Sequence, residues 1–281
     1  MPPSADPRHR LHAGLRAFYG QHAAYYAAAE QANRALTPER ARLFGYIRPG
    51  ERLLDVGCGS GENGWFLAEH GRYVGCDLSF LALQRGRAQF PAGQVRLVQA
   101  ESHALPFAAH SFGVVLSTYA LEHFVYPRES LAEMWRVCGR GGRLILAAPA
   151  YDDPRRLPPS TGHWPAGRRF GLVLRQAWRQ GRRHLDAHYF AFACVDRPRV
   201  LEQGYESDFD AVHLVSAREI GSYLRALGAE LLFERKRQPR PVPAGVGLIR
   251  RLREHLRNGV LRLHLGEYAG LNLQLVARKP E

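Results

Sequence analysis

Three glycines at alternate positions, Gly57, Gly59 and Gly61, follow an apolar run that ends in Asp55-Val56 and precede a helical segment starting near Glu62. Glycine lets a chain turn tightly and lets its backbone approach a ligand with no Cβ in the way. The loop therefore makes a seat for a small molecule at the carboxyl end of a strand. A dinucleotide fingerprint would place its third glycine at position 62, where this chain has Glu62, and a carboxylate at a helix start repels a pyrophosphate. A cationic or zwitterionic ligand suits the loop better. Asp77 ends the next apolar run, where a carboxylate can accept hydrogen bonds from both hydroxyls of a ribose.

Other residues invite chemistry with less support. Cys58 lies inside the glycine loop and reads as a small buried thiol rather than a nucleophile. The four cysteines, Cys58, Cys76, Cys138 and Cys194, form no C-x-x-C pair and have no histidines at metal-ligand spacing, so neither a disulfide framework nor a zinc site is expected. Histidine takes a proton near neutrality, which makes His123, His163 and His188 the base candidates, with His213 beside them. For His123, in the run ALEHF, packing near the ligand entrance is the competing reading.

Positioning these residues requires strands that alternate with helices. Strand candidates are 52–56, 73–77, 95–99, 113–117 and 143–148, then 230–235 and 271–277; helical segments lie at 62–70, 80–89 and 127–137. Apolar strands alternating with helices imply an α/β fold with a parallel sheet covered on both faces, doubly wound because crossovers are right-handed. Residues 1 to about 12 lack a hydrophobic period and are expected to fray. An alanine-rich helical stretch bearing Tyr19, Tyr25 and Tyr26 covers 15–36, and Thr37-Pro38 reads as an N-cap with proline at the first helical position, so two helices are expected ahead of the core. Ser216 opens a capping box, and Gly228 closes its helix. The expected division is an N-terminal helical segment (1–48), a ligand-binding core (49–150), a cap (151–215) and the C-terminal part of the core (216–281).

The segment from Leu53 to Gly71, LLDVGCGSGENGWFLAEHG, resembles the class I S-adenosylmethionine-dependent methyltransferases, in the branch with a D-V-G-C-G-x-G glycine loop. AESHALPF (100–107), SFGVVLSTYALEHF (111–124) and RVCGRGGRLILAAP (136–149) match the same family in order. The resemblance implies a Rossmann-like doubly wound sheet of seven strands in the order 3-2-1-4-5-7-6 with the last strand antiparallel. It implies S-adenosyl-L-methionine as cofactor and transfer of the sulfonium methyl by in-line displacement, with no metal. In its terms Asp55 supports the glycine loop and the methionine ammonium, beside Gly57, Cys58, Gly59 and Gly61. Asp77 holds the ribose and Leu78 packs on the adenine. Glu101 stands where the family has an Asp toward the adenine amino group, Ser102 offers its backbone N–H, Ser117 lies next to the methionine, and either Tyr25 or Tyr26 reaches the cofactor from the N-terminal helices, with helix packing as the competing reading.

The chain has 281 residues and a formal net charge of +13, with lysine only at Lys236 and Lys279, so the basic charge is almost all arginine. That charge admits an anionic acceptor, a peripheral membrane contact or a nucleic acid, although a GC-rich coding bias toward arginine is a simpler source. Arginines concentrate on an amphipathic segment near 168–182, whose apolar positions 170, 173, 174, 177 and 178 are expected to face inward and leave Arg175, Arg179 and Arg182 outside. A second basic amphipathic stretch covers 246–265, its apolar side expected against the sheet. No run is long and apolar enough to span a bilayer, and a cytoplasmic enzyme acting on a small-molecule, sugar-like or lipid-linked acceptor is expected. The rivals are an RNA methyltransferase, against which STYALEH at the fourth strand end argues, and a non-catalytic binder of the same cofactor.

Overall fold

The computed structural model describes residues 6–153, 155–186, 188–195, 210–237, 248–262, 267–268 and 270–281. Seven strands form one sheet: β1 (Glu51–Val56), β2 (Gly71–Asp77), β3 (Arg96–Gln99), β4 (Phe112–Thr118), β5 (Cys138–Ala148), β6 (Glu230–Glu234) and β7 (Leu273–Arg278). Their order is β3-β2-β1-β4-β5-β7-β6, and β7 runs antiparallel to both β5 and β6 while the other pairs are parallel. This is the topology the resemblance implies.

Alternate residues of the central strands enter two separate apolar layers. Leu54, Val56, Val115, Leu144 and Leu146 belong to one, and Leu53, Val114, Leu116, Ile145 and Ala147 to the other. A period of two with both faces apolar is what a sheet covered on both sides requires. It also explains why the strand segments are near-continuous hydrophobic runs. The chain order reverses between β1 and β4, which pair in register Leu53↔Val114 to Asp55↔Leu116. In open sheets of this kind the crevice at such a reversal, at the carboxyl ends of the strands, is where ligands bind.

The N-terminal region departs from expectation. Among the described residues it holds three helices, α1 (Pro7–Gln21), α2 (Ala23–Asn33) and α3 (Pro38–Phe44), where two helices were expected, and α1 covers residues 7–12 that were expected to fray. Asp6 caps α1, its side chain accepting the Arg8 backbone N–H at 2.9 Å, and Pro7 is at the first turn, so the helix begins well before Leu15. His22 breaks the alanine-rich stretch in two at φ −100°, ψ 79°. Thr37 caps α3 as expected.

Further on, α4 is one short turn (Gly64–Leu67) where 62–70 was expected, while α5 (Phe80–Gln89) and α6 (Pro127–Val137) match their segments. A Cβ on Gly64 would stand 3.0 Å from a Val95 methyl and 3.2 Å from the Phe90 ring, so this turn packs closely on both side chains. α7 (Ala166–Leu185) follows β5, α8 (Ala217–Ala226) is capped by the Ser216 hydroxyl on the Glu219 N–H, and α9 (Leu248–Arg262) precedes β7. Residues 196–209 of the expected cap and 246, 247 and 263–265 of the second basic stretch lie outside the described residues. No helix among the described residues is long and apolar enough to cross a membrane.

Candidate active site

A cleft opens at the carboxyl ends of β1, β2 and β4 and is roofed by α1 and α2; it encloses about 1110 Å³ including its open mouth. The roof is tied down at its two ends. Glu30 of α2 accepts from the Ser60 hydroxyl of the glycine loop at 2.7 Å and takes Arg85 of α5 in a bidentate pair at 2.7 and 2.8 Å. The Ser79 hydroxyl donates to the Tyr19 carbonyl of α1 at 2.7 Å, and Glu101 meets His12 Nε2 at 2.9 Å and Arg16 at 3.4 Å.

The floor is the glycine loop. Gly57, Gly59 and Gly61 have φ of +75°, +56° and +84°, in the region L side chains avoid. A Cβ on Gly57 would stand 2.5 Å from that of Ala120, so glycine is needed there twice over. Gly57 and Cys58 both donate to the Cys76 carbonyl, which locks the loop to the end of β2. Burial pushes the Cys58 thiol well above its ordinary value, which fits an inert packing residue.

Carboxylates dominate the lining. Asp77 accepts from the backbone N–H groups of Gly59 and Ser79, each at 2.8 Å, and burial still raises its carboxyl to about 6. Glu62 lines the same floor, pushed up to about 7 by burial and by the neighbouring carboxylates Asp55, Glu30 and Asp77. Glu101, at the adenine end of the expected ligand, is raised by its burial but held lower than usual because His12, His103 and Arg16 together outweigh that burial. Against these, Arg40 is the one arginine or lysine lining the cleft among the described residues.

Asp55 does not line the cleft. It is buried behind it, accepting from Tyr73 at 2.7 Å and Asn63 at 2.9 Å, and desolvation raises it to about 6. Asn63 is the joint of this network: its amide also donates to Thr118 at 2.9 Å and its oxygen accepts from Arg40 at 3.3 Å.

Near the mouth, His123 Nδ1 lies 3.1 Å from Asp210 Oδ2. The same carboxylate oxygen accepts the Tyr19 hydroxyl at 2.5 Å and the Tyr25 hydroxyl at 3.0 Å. Nε2 of the same ring lies 3.8 Å from Glu122 Oε1, so carboxylates flank both ring nitrogens and fix the orientation of the imidazole.

Residues 54–146 match a family model described as "Methyltransferase domain". Over those residues the chain carries a methyltransferase domain. It is 36% identical over 100 residues to a demethylmenaquinone methyltransferase of Renibacterium salmoninarum, an alignment that covers 35% of this chain and 41% of that one. The chain spans less than half the length of the curated relatives it matches. Among solved structures, an S-adenosylmethionine-dependent methyltransferase from Mesorhizobium loti is similar at TM-score 0.50 and 20% identity, covering 86% of this chain and 98% of that one. A chain of the complex between the Haloferax volcanii Trm112 methyltransferase activator and a methyltransferase has TM-score 0.54 at 17% identity, covering 91% and 95%. These structural likenesses concern the fold.

Of the residues singled out in the sequence, the cleft brings together Gly57, Cys58, Gly59, Asp77, Leu78, Glu101, Ser102, Tyr25 and His123. Gly61 and Ser117 stand behind it with Asp55. Ser117 is fully buried, its hydroxyl donating to the Val56 carbonyl at 2.9 Å, so it joins β4 to β1. His163 and His188 are exposed and line no part of the cleft. His213 is fully buried, on the Leu121 carbonyl at 3.0 Å, and burial lowers it to about 4. Of the four histidines considered as bases, the geometry leaves His123.

Sequence reasoning passed over Arg40, Asn63, Thr118 and Asp210. Asn63 directly follows Glu62 and was within reach of a closer reading of the loop. Asp210 sits in irregular chain beside residues 196–209, where no pattern points to it.

Proposed function

We propose that this protein transfers the sulfonium methyl of S-adenosyl-L-methionine to a small-molecule acceptor that carries an ionisable hydroxyl, by in-line displacement under the roof of α1 and α2. The lining fits the cofactor. Asp77 and Glu62 set negative charge around a cationic sulfonium, Asp77 takes the ribose, and Leu78, Glu101 and Ser102 take the adenine. Asp55, through Asn63, stiffens the loop that receives the methionine. Arg40, the one arginine or lysine lining the cleft among the described residues, supplies a positive charge suited to its carboxylate.

Bound cofactor supplies a methyl already activated by the positive sulfur. The chain's own work is then to hold the acceptor in line, exclude water and take away a proton. The observation that carries the reading is the His123–Asp210 contact in the same cleft as the glycine loop. Asp210 orients the ring at Nδ1, and Nε2, which lies 3.8 Å from Glu122 Oε1, is the atom proposed to accept the hydroxyl proton of the acceptor. The acceptor class we propose is lipid-linked, supported by the likeness over about a third of the chain to a demethylmenaquinone methyltransferase.

The test is turnover with reduced naphthoquinone and simple phenol acceptors, compared between the wild type and His123→Asn. The variant is expected to lose about 10²- to 10⁴-fold in kcat, the range for a positioned base, and to keep cofactor affinity within about twofold. Full turnover in the variant removes the base assignment. Tight cofactor binding with no methyl transfer to these acceptors removes the acceptor class.

A further inference from the structure

Helix α7 is packed with its polar side inward. Gln176 and Arg183 are buried along with Leu172, and Arg183 pairs with Glu219 at 3.0 Å where both side chains are almost wholly inaccessible. The apolar side faces solvent: Phe170 is 62% exposed, Leu174 53%, Trp178 57% and Leu185 91%. At 3.6 residues per turn these four fall within an arc of roughly 80°. The inward apolar face expected from the sequence is thus reversed, because the buried side of the helix is claimed by an ion pair to α8 and a glutamine bonded to the Tyr151 carbonyl at 3.4 Å.

Helix α9 repeats the pattern. Ile249, Leu252 and Leu256 are 86%, 60% and 64% exposed on one stripe, while Asn258 on the other side is buried. Arginines border both stripes. Arg175 and Arg182 lie on one flank of the α7 stripe, with Arg182 over the Trp178 ring at 5.5 Å and the Tyr189 ring at 4.8 Å, and Arg253 adjoins Ile249 on α9.

Exposed apolar stripes of this length on a water-soluble surface mark a contact surface. Charge decides between occupants. A net charge of +13 opposes docking of a second copy of the same chain and favours an anionic partner. Phe170 and Trp178 could stack on bases, but Leu174, Leu185, Ile249, Leu252 and Leu256 could not, and the α9 stripe has no aromatic residue among these, whereas arginine-flanked apolar helices are suited to the headgroup boundary of a bilayer. We propose that α7 and α9 each seat this protein on an anionic membrane surface, with their apolar stripes in the acyl boundary and Arg175, Arg182 and Arg253 at the lipid phosphates. The reading stands apart from the acceptor assignment, since it concerns surfaces outside the cleft.

The full chain is tested by co-sedimentation with phosphatidylcholine vesicles, with and without phosphatidylglycerol. Binding to the anionic vesicles is expected to be tighter by about tenfold or more, and to weaken with salt. Phe170→Ser, Leu174→Ser and Trp178→Ser together should lose about tenfold, as should Arg175→Gln with Arg182→Gln, while both variants keep the wild-type circular dichroism and cofactor affinity. A blue shift of tryptophan emission on adding anionic vesicles to the wild type, absent in Trp178→Phe, gives a second readout. No vesicle binding, or binding unchanged in the apolar variant, overturns the proposal. So does RNA binding without vesicle binding, or a wild-type dimer that the apolar variant converts to monomer without any vesicle binding.

Discussion

Asp77 Oδ2 accepts the backbone N–H of Gly59 and its Oδ1 that of Ser79, both at 2.8 Å, so one carboxylate joins the glycine loop to the first turn of α5. β1 and β2 deliver these groups side by side because they pair in parallel up to Val56↔Cys76. The carboxylate is therefore oriented before any ligand arrives.

Replacing Asp77 by Ala should weaken S-adenosylmethionine binding by ~1.5–3 kcal/mol, the range for hydrogen bonds to a charged group. Calorimetry showing unchanged affinity in a folded variant would remove the ribose assignment. NAD should not bind, since the Glu62 carboxylate lines the floor where a pyrophosphate would need an uncharged helix start.

Asp77 also sets a pH dependence. Its carboxyl, like that of Asp55, is raised to about 6 from an ordinary value of 3.8, so the folded chain keeps protons that the unfolded chain has lost. The stability tied to that proton is full below about pH 4 and is lost as pH rises through about 6. Asp77→Asn has no ionisation to suppress. Relative to wild type, the ligand-free variant should gain stability between about pH 4 and about pH 7 in urea titrations. A difference that stays flat with pH over that interval contradicts the buried, raised carboxyl. For the wild type, a cationic ligand favours the ionised form, so binding should tighten over the same interval and release protons.

The glycines divide by what surrounds them. Gly57→Ala sets a new Cβ against the Ala120 methyl at 2.5 Å, whereas at Gly59 the nearest atom is the flexible Glu62 carboxylate at 3.2 Å. Both pay for positive φ, about 1–3 kcal/mol. Gly57→Ala should therefore destabilise the fold by clearly more than Gly59→Ala, and Gly59→Val should abolish cofactor binding in a protein that still folds. Equal urea midpoints for the two alanine variants would place the Ala120 contact elsewhere.

The sheet and floor of the cleft were legible because they obey local rules. Strand runs bounded by glycines, Asp55 and Asp77 at strand ends and the Thr37 and Ser216 caps are each short-range features. The roof and the mouth obey none. Asp210 meets Tyr19 and Tyr25 across more than 180 residues of chain, and Arg183 turns α7 inward through a partner on α8. Periodicity describes which side of a helix is apolar; it does not say which side the rest of the molecule will cover.

Asp210 is a positioning residue in this scheme, acting through His123. Asp210→Asn should lower kcat while leaving cofactor affinity within about twofold, and should shift the acidic limb of the kcat profile to lower pH, because the imidazolium loses its carboxylate partner. Tyr19→Phe with Tyr25→Phe keeps the carboxylate and removes its other two donors, so that variant should keep most of the wild-type profile. A profile unmoved in Asp210→Asn would reduce the contact to packing.

The buried pair of Arg183 and Glu219 supplies the last prediction. One Glu219 oxygen is 3.0 Å from Arg183, and the other accepts the backbone N–H groups of Ala191, at 2.5 Å, and Phe192, at 3.0 Å. Arg183→Met leaves a buried carboxylate without its counter-charge, a loss of about 3–5 kcal/mol by the usual cost of breaking such a pair. Adding Glu219→Gln removes the stranded charge and keeps an acceptor oxygen for the two backbone donors, so the double variant should recover part of that loss. Urea denaturation of the single and double variants measures the coupling. Strict additivity would mean the two charges do not interact, and with it the reason for the inverted face of α7 would fall.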